Sequence, residues 1–249
     1  MPLSDKWIIT QIGTGTVQSQ TKSLWLTVPL GSSDTYHDAQ ITDYHSNTLN
    51  FRNQPPLRLT LQARAEGDIQ GTAGFGFWNH MFAPNERGFR IPQAIWFFFG
   101  SPPNNIALAD GVAGHGWKAA TFNAQQWKFY SLLPFAPLGF LLMRNKTIYN
   151  KLWRIGQDAI GVSEVALDSR LLHEFHTYTI DWRTDGATFA IDGQTVMQTD
   201  SVPTKPLGFI AWVDNQYAIV TPQGNFGWGI LDVPQSQSLI LKNIEMETL

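Results

Sequence analysis

Leu57, Leu59, Leu61 and Ala63 alternate with Arg58, Thr60, Gln62 and Arg64, a period of two that turns one face of a strand inward and the other to water. The alternation returns at 177–182, where Tyr178, Ile180 and Trp182 share a face. Residues 188–191 then run into Asp192-Gly193 and 195–198, and Asp-Gly between two such runs predicts a hairpin. Further strands are expected at 24–28, 74–79, 94–99, 207–213 and 239–246. Many short strands predict an all-β fold, an antiparallel β-sandwich, as one domain over 1–249.

The segment 101–161 breaks this pattern. It opens on Ser101-Pro102-Pro103-Asn104-Asn105 and passes through a glycine-rich stretch at 111–116. From Pro137 onward, Leu138, Leu141, Leu142, Ile148, Tyr149, Leu152 and Ile155 fall on one helical stripe, with Arg144, Thr147, Lys151 and Arg154 on another. This spacing predicts an amphipathic helix, preceded by a shorter one over 124–133 that ends at Pro134. The segment therefore reads as a mainly helical insertion, a lid on the sandwich.

Charge sharpens the contrast. Residues 111–157 hold six cations (Lys118, Lys128, Arg144, Lys146, Lys151, Arg154) and no Asp or Glu, so a chain of net charge -3 leaves -9 for the remainder. Three readings follow: a lid that receives an apolar small molecule with an anionic group, a weak membrane-surface contact through 137–155, or plain packing on the sheet edge with the basic stripe in water.

Composition narrows the function classes. The net charge lacks the basic excess that phosphate-backbone binding needs, so no nucleic acid is expected as partner. Zero cysteines exclude disulfides, zinc-thiolate sites and thiol nucleophiles. The most apolar run, 132–143, is cut by Pro134, Pro137 and Gly139 and is too short to span a bilayer. The first twenty residues do not read as a secretion signal, which gives the expectation of a cytoplasmic protein. No phosphate-binding loop, dinucleotide fingerprint or serine-hydrolase elbow occurs, and no cofactor is expected. Ten Trp and sixteen Phe suit broad stacking surfaces.

Glu174-Phe175-His176-Thr177-Tyr178-Thr179-Ile180-Asp181-Trp182 followed by Phe189-Ala190-Ile191-Asp192-Gly193 resembles the C-terminal half of glycoside hydrolase family 16, jelly rolls of the concanavalin A-like lectin and glucanase superfamily. Residues 206–212 and 239–246 extend the likeness, and Gly74-Phe75-Gly76-Phe77-Trp78 looks like the strand before that family's active-site strand. The resemblance implies that the next strand carries Glu-x-Asp-x-x-Glu or Glu-x-Asp-x-Glu, whose two carboxyls perform retaining hydrolysis roughly 5 to 5.5 Å apart. Residues 92–99 hold Pro-Gln-Ala-Ile-Trp-Phe-Phe-Phe instead. Odd positions offer Gln93, Ile95, Phe97 and Phe99; even positions offer Ala94, Trp96 and Phe98. Neither face offers a carboxylate, so the scaffold is kept without the family's dyad.

The remaining candidates for chemistry are scattered. Asp214, Asn215 and Gln216 follow a strand ending in Trp212, where Asp214 is a candidate base and the amides candidate ligand contacts; an Asx turn is the plain alternative. His115 lies between Gly114 and Gly116, next to Trp117 and Lys118, and His80 follows Trp78 and Asn79; both histidines are candidate proton carriers, and Asn79, Trp117 and Lys118 are candidate ligand contacts beside them. Trp78, Trp96, Phe98 and Trp212 are candidate cleft aromatics. His37, Asp43 and His45 share parity but are too loosely spaced to argue for a metal. The first function expected is an enzyme without a glycosidase dyad that folds an apolar molecule in an aromatic concave cleft, by cyclisation, isomerisation or another non-redox rearrangement. A lectin-like carbohydrate binder or divergent glycoside hydrolase is the alternative, and a lipid- or membrane-surface-binding protein a third.

Overall fold

In this computed structural model, residues 6–20, 22–80, 91–221 and 225–249 are described. Their strands are β1 (Ile8–Ile12), β2 (Thr16–Gln20), β3 (Ser23–Val28), β4 (Asp38–Thr42), β5 (Leu57–Glu66), β6 (Thr72–Trp78), β7 (Gln93–Gly100), β8 (Asn105–Ile106), β9 (Gly116–Asn123), β10 (Ser163–Leu167), β11 (His176–Trp182), β12 (Ala187–Ile191), β13 (Gln194–Thr199), β14 (Gly208–Asp214), β15 (Gln216–Val220), β16 (Phe226–Ile230) and β17 (Gln237–Thr248). Two seven-stranded sheets pack face to face. The first runs β1-β4-β14-β6-β7-β9-β10 and the second β13-β12-β11-β5-β17-β3-β2, with a small sheet β16-β15-β8 beside them. Every pairing within the two large sheets is antiparallel. This is the antiparallel sandwich that the alternating pattern predicts.

Alternation explains the core. Odd residues of the first sheet, among them Phe75, Phe97, Trp117 and Phe209, point at Leu61, Tyr178, Trp182 and Phe189 of the second. Phe97 touches Phe75, Trp117, Tyr178 and Phe189, with ring centroids 5.0 to 5.8 Å apart. The Asp192-Gly193 turn forms as expected, with positive φ at both residues (50° and 77°), the backbone of a two-residue hairpin whose twist matches its strands.

The insertion is smaller than 101–161. Residues 116–123 form β9, paired along its length with β7 and β10, and the helices are α1 (Trp127–Leu132), α2 (Ala136–Leu142) and α3 (Lys146–Ile160). Pro134 does not end the helical region, because it stands in the first turn of a short 3-10 segment, Leu133–Phe135, where its missing N–H costs nothing. The single helix expected from Pro137 is two, broken at 143–145. There the Asn145 side chain accepts from the N–H groups of Thr147 and Ile148 and starts α3. Gly161, at φ 59°, ends it.

Candidate functional site

Even residues of the first sheet face away from the core, so β7 presents Ala94, Trp96 and Phe98 there. Two glycines on β6 make room for the rings. A Cβ on Gly74 would come within 2.7 Å of the Trp212 ring, and one on Gly76 within 2.6 Å of the Trp96 Cα and Cβ. Register sets the remainder: one row reads Gln40, Trp212, Gly74, Phe98, Lys118, and the next Thr42, Ile210, Gly76, Trp96, Ala120. The Trp96 ring centroid lies 5.3 Å from that of Trp212, 5.7 Å from Phe98 and 6.1 Å from Trp78. No described carboxylate stands on β7. Trp212 and Phe98, expected as cleft aromatics, are 7% and 8% exposed and form a second small core with Ile210 and Ile106. Trp96 and Trp78 remain half-buried.

A polar pocket of about 280 Å³ adjoins this row at β1 and β4. Thr10, Gln40, Thr42, Asn47, His45 and His80 line it together with Tyr44. The Tyr44 hydroxyl accepts from the Trp78 indole N–H at 2.5 Å and meets His80 Nδ1 at 3.0 Å, while the His80 and Trp78 rings stack 4.9 Å apart. Burial pushes the Tyr44 phenol well above its ordinary range, so it stays a neutral hydroxyl. Apart from His80, and His45, which was weighed only as a metal ligand, these pocket residues escaped the sequence reading. The signal was the even positions Gln40 and Thr42 alternating with inward Ala39 and Ile41, although only Gln40 of this strand escapes full burial.

Several expected site residues do other work. Trp117 faces the inter-sheet core at 1% exposure, because its odd position in β9 turns it inward. Asn79 donates to the Ile91 carbonyl at 2.8 Å and accepts from the Gln93 N–H at 3.2 Å, holding together the two ends of the β6–β7 connection. Asn215, fully buried, accepts from the His37 N–H and donates to the carbonyls of Thr35 and Leu231. Gln216 and His115 are exposed. The glycines beside His115 serve the backbone of the turn: a Cβ on Gly114 would strike Asn105, and Gly116 has φ 94°. Lys118, expected to meet an anionic group, is 1% exposed; its Nζ donates to the Ile106 carbonyl at 3.2 Å and lies 3.5 Å from Glu164. Burial pushes Lys118 down and Glu164 up, each partly offset by the other's charge. Lys128 pairs with Asp158 at 2.7 Å. Both acidic partners lie just past residue 157, so the six-cation patch carries less free charge than its segment suggested.

Asp214 is buried at the other end of β14. Its carboxylate accepts from the Thr72 N–H (3.0 Å), the Thr72 hydroxyl (2.8 Å), the Gln216 N–H (3.3 Å) and the Tyr36 hydroxyl (3.3 Å). Asp38 stands opposite it on β4. Burial raises the Asp214 pKa to about 7, and burial with the Asp214 charge raises Asp38 well above the carboxylate range. The environment expected for a base is present, but its oxygens are engaged by the protein. The three proton-carrier candidates also lie apart. Trp78, one residue before Asn79 and two before His80, and Asp214 sit at opposite ends of one strand pair, about 20 Å by strand rise. Gly116, beside His115, is three strands from Asp214 in its row, about 14 Å. They do not form one constellation. Among the described residues no group of three or more His, Asp or Glu is placed to hold a metal; His37 is buried, its Nδ1 accepting from the Thr14 N–H. A separate groove of about 620 Å³ between α3 and β10, lined by residues such as Asp110, Arg154, Asp158 and Asp200, has no aromatic wall.

Two packed antiparallel sheets with an aromatic outer face define a concanavalin A-like jelly roll. The family model for glycosyl hydrolases family 16 matches residues 144–213, from just before α3 to the last but one residue of β14, and the chain resembles that family. A search of curated proteins with the sequence gives no significant match. Among solved structures, one from work on endo-acting O-glycanases of the human gut microbiota is 11% identical, with 100% of this chain and 94% of that one covered and a TM-score of 0.56. The exoplasmic/lumenal domain of VIP36, bound to Ca2+ and Man3GlcNAc, is 11% identical over 98% and 84%, at 0.51. A Bacillus licheniformis beta-glucanase is 9% identical over 98% and 92%, at 0.50. At these identities the likeness is one of fold: a family 16-like scaffold of the kind found in glycan-cleaving and glycan-binding proteins.

Proposed function

We propose that the protein binds carbohydrate on the outer face of the first sheet, from the polar pocket at β1 and β4 to the rings of Trp78 and Trp96, and that it does not cleave what it binds. The observation that carries this reading is β7, which turns Ala94, Trp96 and Phe98 outward on the strand where the family resemblance implies the catalytic carboxylates. A sugar has apolar C–H faces and a rim of hydroxyls, so it suits an indole beside amide, hydroxyl and imidazole groups. A purely apolar ligand would leave those pocket groups desolvated without partners. A cyclase or isomerase has less support, since its candidate acid and base groups lie about 14 to 20 Å apart and Asp214 is occupied. The fold's neighbours include a glucanase, O-glycanases and a mannose-type glycan binder, which sets the ligands to try.

The test is titration of intrinsic Trp fluorescence with β-glucan, mucin-type and mannose oligosaccharides. Saturable change is expected with at least one class, and Trp78→Ala and Gln40→Ala should each weaken it about tenfold, or about 1.4 kcal/mol. Saturation by apolar acids alone would overturn the reading.

A further inference from the structure

We propose that the helical insertion docks the protein on an anionic bilayer surface. The helices pack mainly on one another and are fastened to the body from the middle of α3 to its C-terminal end, where the Trp153 indole donates to the Leu108 carbonyl at 3.0 Å and Ile160 packs against the β7–β9 aromatic cluster. Their free side is apolar. Trp127 is 76% exposed, Phe135 64%, Leu141 59% and Leu138 57%. Eight of the thirteen large apolar side chains exposed among the described residues fall between 127 and 155. An apolar groove of about 290 Å³ opens between α1, α2 and α3. The helical stripe that should have covered the sheet is thus largely turned away from it.

Charge selects the occupant. Between residues 124 and 160 there are five Lys or Arg and one acid, Asp158, which pairs with Lys128; Arg144, Lys151 and Arg154 are exposed. Exposed aromatic and aliphatic side chains flanked by one sign of charge match the interfacial zone of an anionic membrane, where rings sit at headgroup level and cations meet lipid phosphates and carboxylates. A protein partner would call for a mixed polar rim. No helix among the described residues is long and apolar enough to cross a membrane, so the contact is with the surface.

The experiment is co-sedimentation of the full chain with phosphatidylcholine vesicles, with and without about one third phosphatidylserine. Binding is expected to the anionic vesicles, to weaken as salt rises, and to fall about tenfold or more in Trp127→Ser/Phe135→Ser/Leu138→Ser and in Arg144→Glu/Lys151→Glu. The variants replace exposed side chains, and an unchanged thermal transition shows that they fold. Absence of vesicle binding by the parent protein, or equal binding by folded variants, overturns the proposal. A dimer in sedimentation velocity that the triple variant dissolves, without vesicle binding, overturns it in favour of a second copy of this chain. These readouts do not depend on sugar binding.

Discussion

Gly76→Ala should cost about 3 kcal/mol or more and lower the melting temperature by roughly 6 to 12 °C. Gly76 has φ 150°, a conformation that side-chain-bearing residues rarely adopt. Its Cβ would also lie 2.4 Å from the Ile95 carbonyl oxygen and 2.6 Å from the Trp96 Cα. These are backbone atoms of the neighbouring strand, so relief requires β6 and β7 to part. The same shift would displace the Trp96 ring, so sugar affinity should fall with stability. Gly139→Ala in α2 is the matched control: its Cβ meets nothing within 4 Å, and alanine is the better helix former by about 1 kcal/mol. That variant should be neutral or slightly more stable. Thermal melts of the two variants decide the matter, and equal melting temperatures would show that the close contact of β6 and β7 at Gly76 is not what the geometry says.

The second large effect concerns pH. Asp214 has its pKa raised from 3.8 to about 7 by burial, so between those values the folded protein holds a proton that the unfolded chain has released. Stability must therefore fall as pH rises through this window and level off above it. A rise of about three units corresponds to on the order of 4 kcal/mol. Asp38, raised by burial and by the Asp214 charge, acts in the same direction. Asp214→Asn imitates the protonated acid: its carbonyl still accepts from Thr72, and its N–H groups face the Tyr36 hydroxyl. In urea unfolding near pH 4 the two proteins should agree, and near pH 8 the variant should be the more stable by as much as about 4 kcal/mol. Parallel stability profiles would contradict the burial of an ionisable Asp214.

The sandwich was legible because its strands obey simple alternation. The faces at 57–64 and 177–182, the Asp192-Gly193 turn and the closing strand all stand where the pattern put them. β9 was hidden because its outer face holds Lys118 and Ala120, neither a strand signal, and because the partners that Lys118 meets on burial, the Ile106 carbonyl and Glu164, lie 12 and 46 residues away. Local patterning carries no such information. Of the site, the sequence carries the make-up of 92–99, where neither parity holds a carboxylate, and the fold adds that the even parity faces outward. The surroundings of the other candidates were not legible. Whether Trp117 or Lys118 faced outward turned on one residue of register. Asp214's role turned on Tyr36 and Thr72, whose distance along the chain hides their contact. The polar pocket joins β1, β4 and the end of β6, which only the fold brings together.

The central claim is that the outer face holds sugar without breaking it. Its most direct test follows one solution of protein and oligosaccharide in two ways, Trp fluorescence for occupancy and mass spectrometry for chain length, over hours at saturating ligand. The account predicts saturable occupancy with the oligosaccharide unchanged in length. Shortened or transferred chains, lost on substitution of a single Asp or Glu, would contradict it.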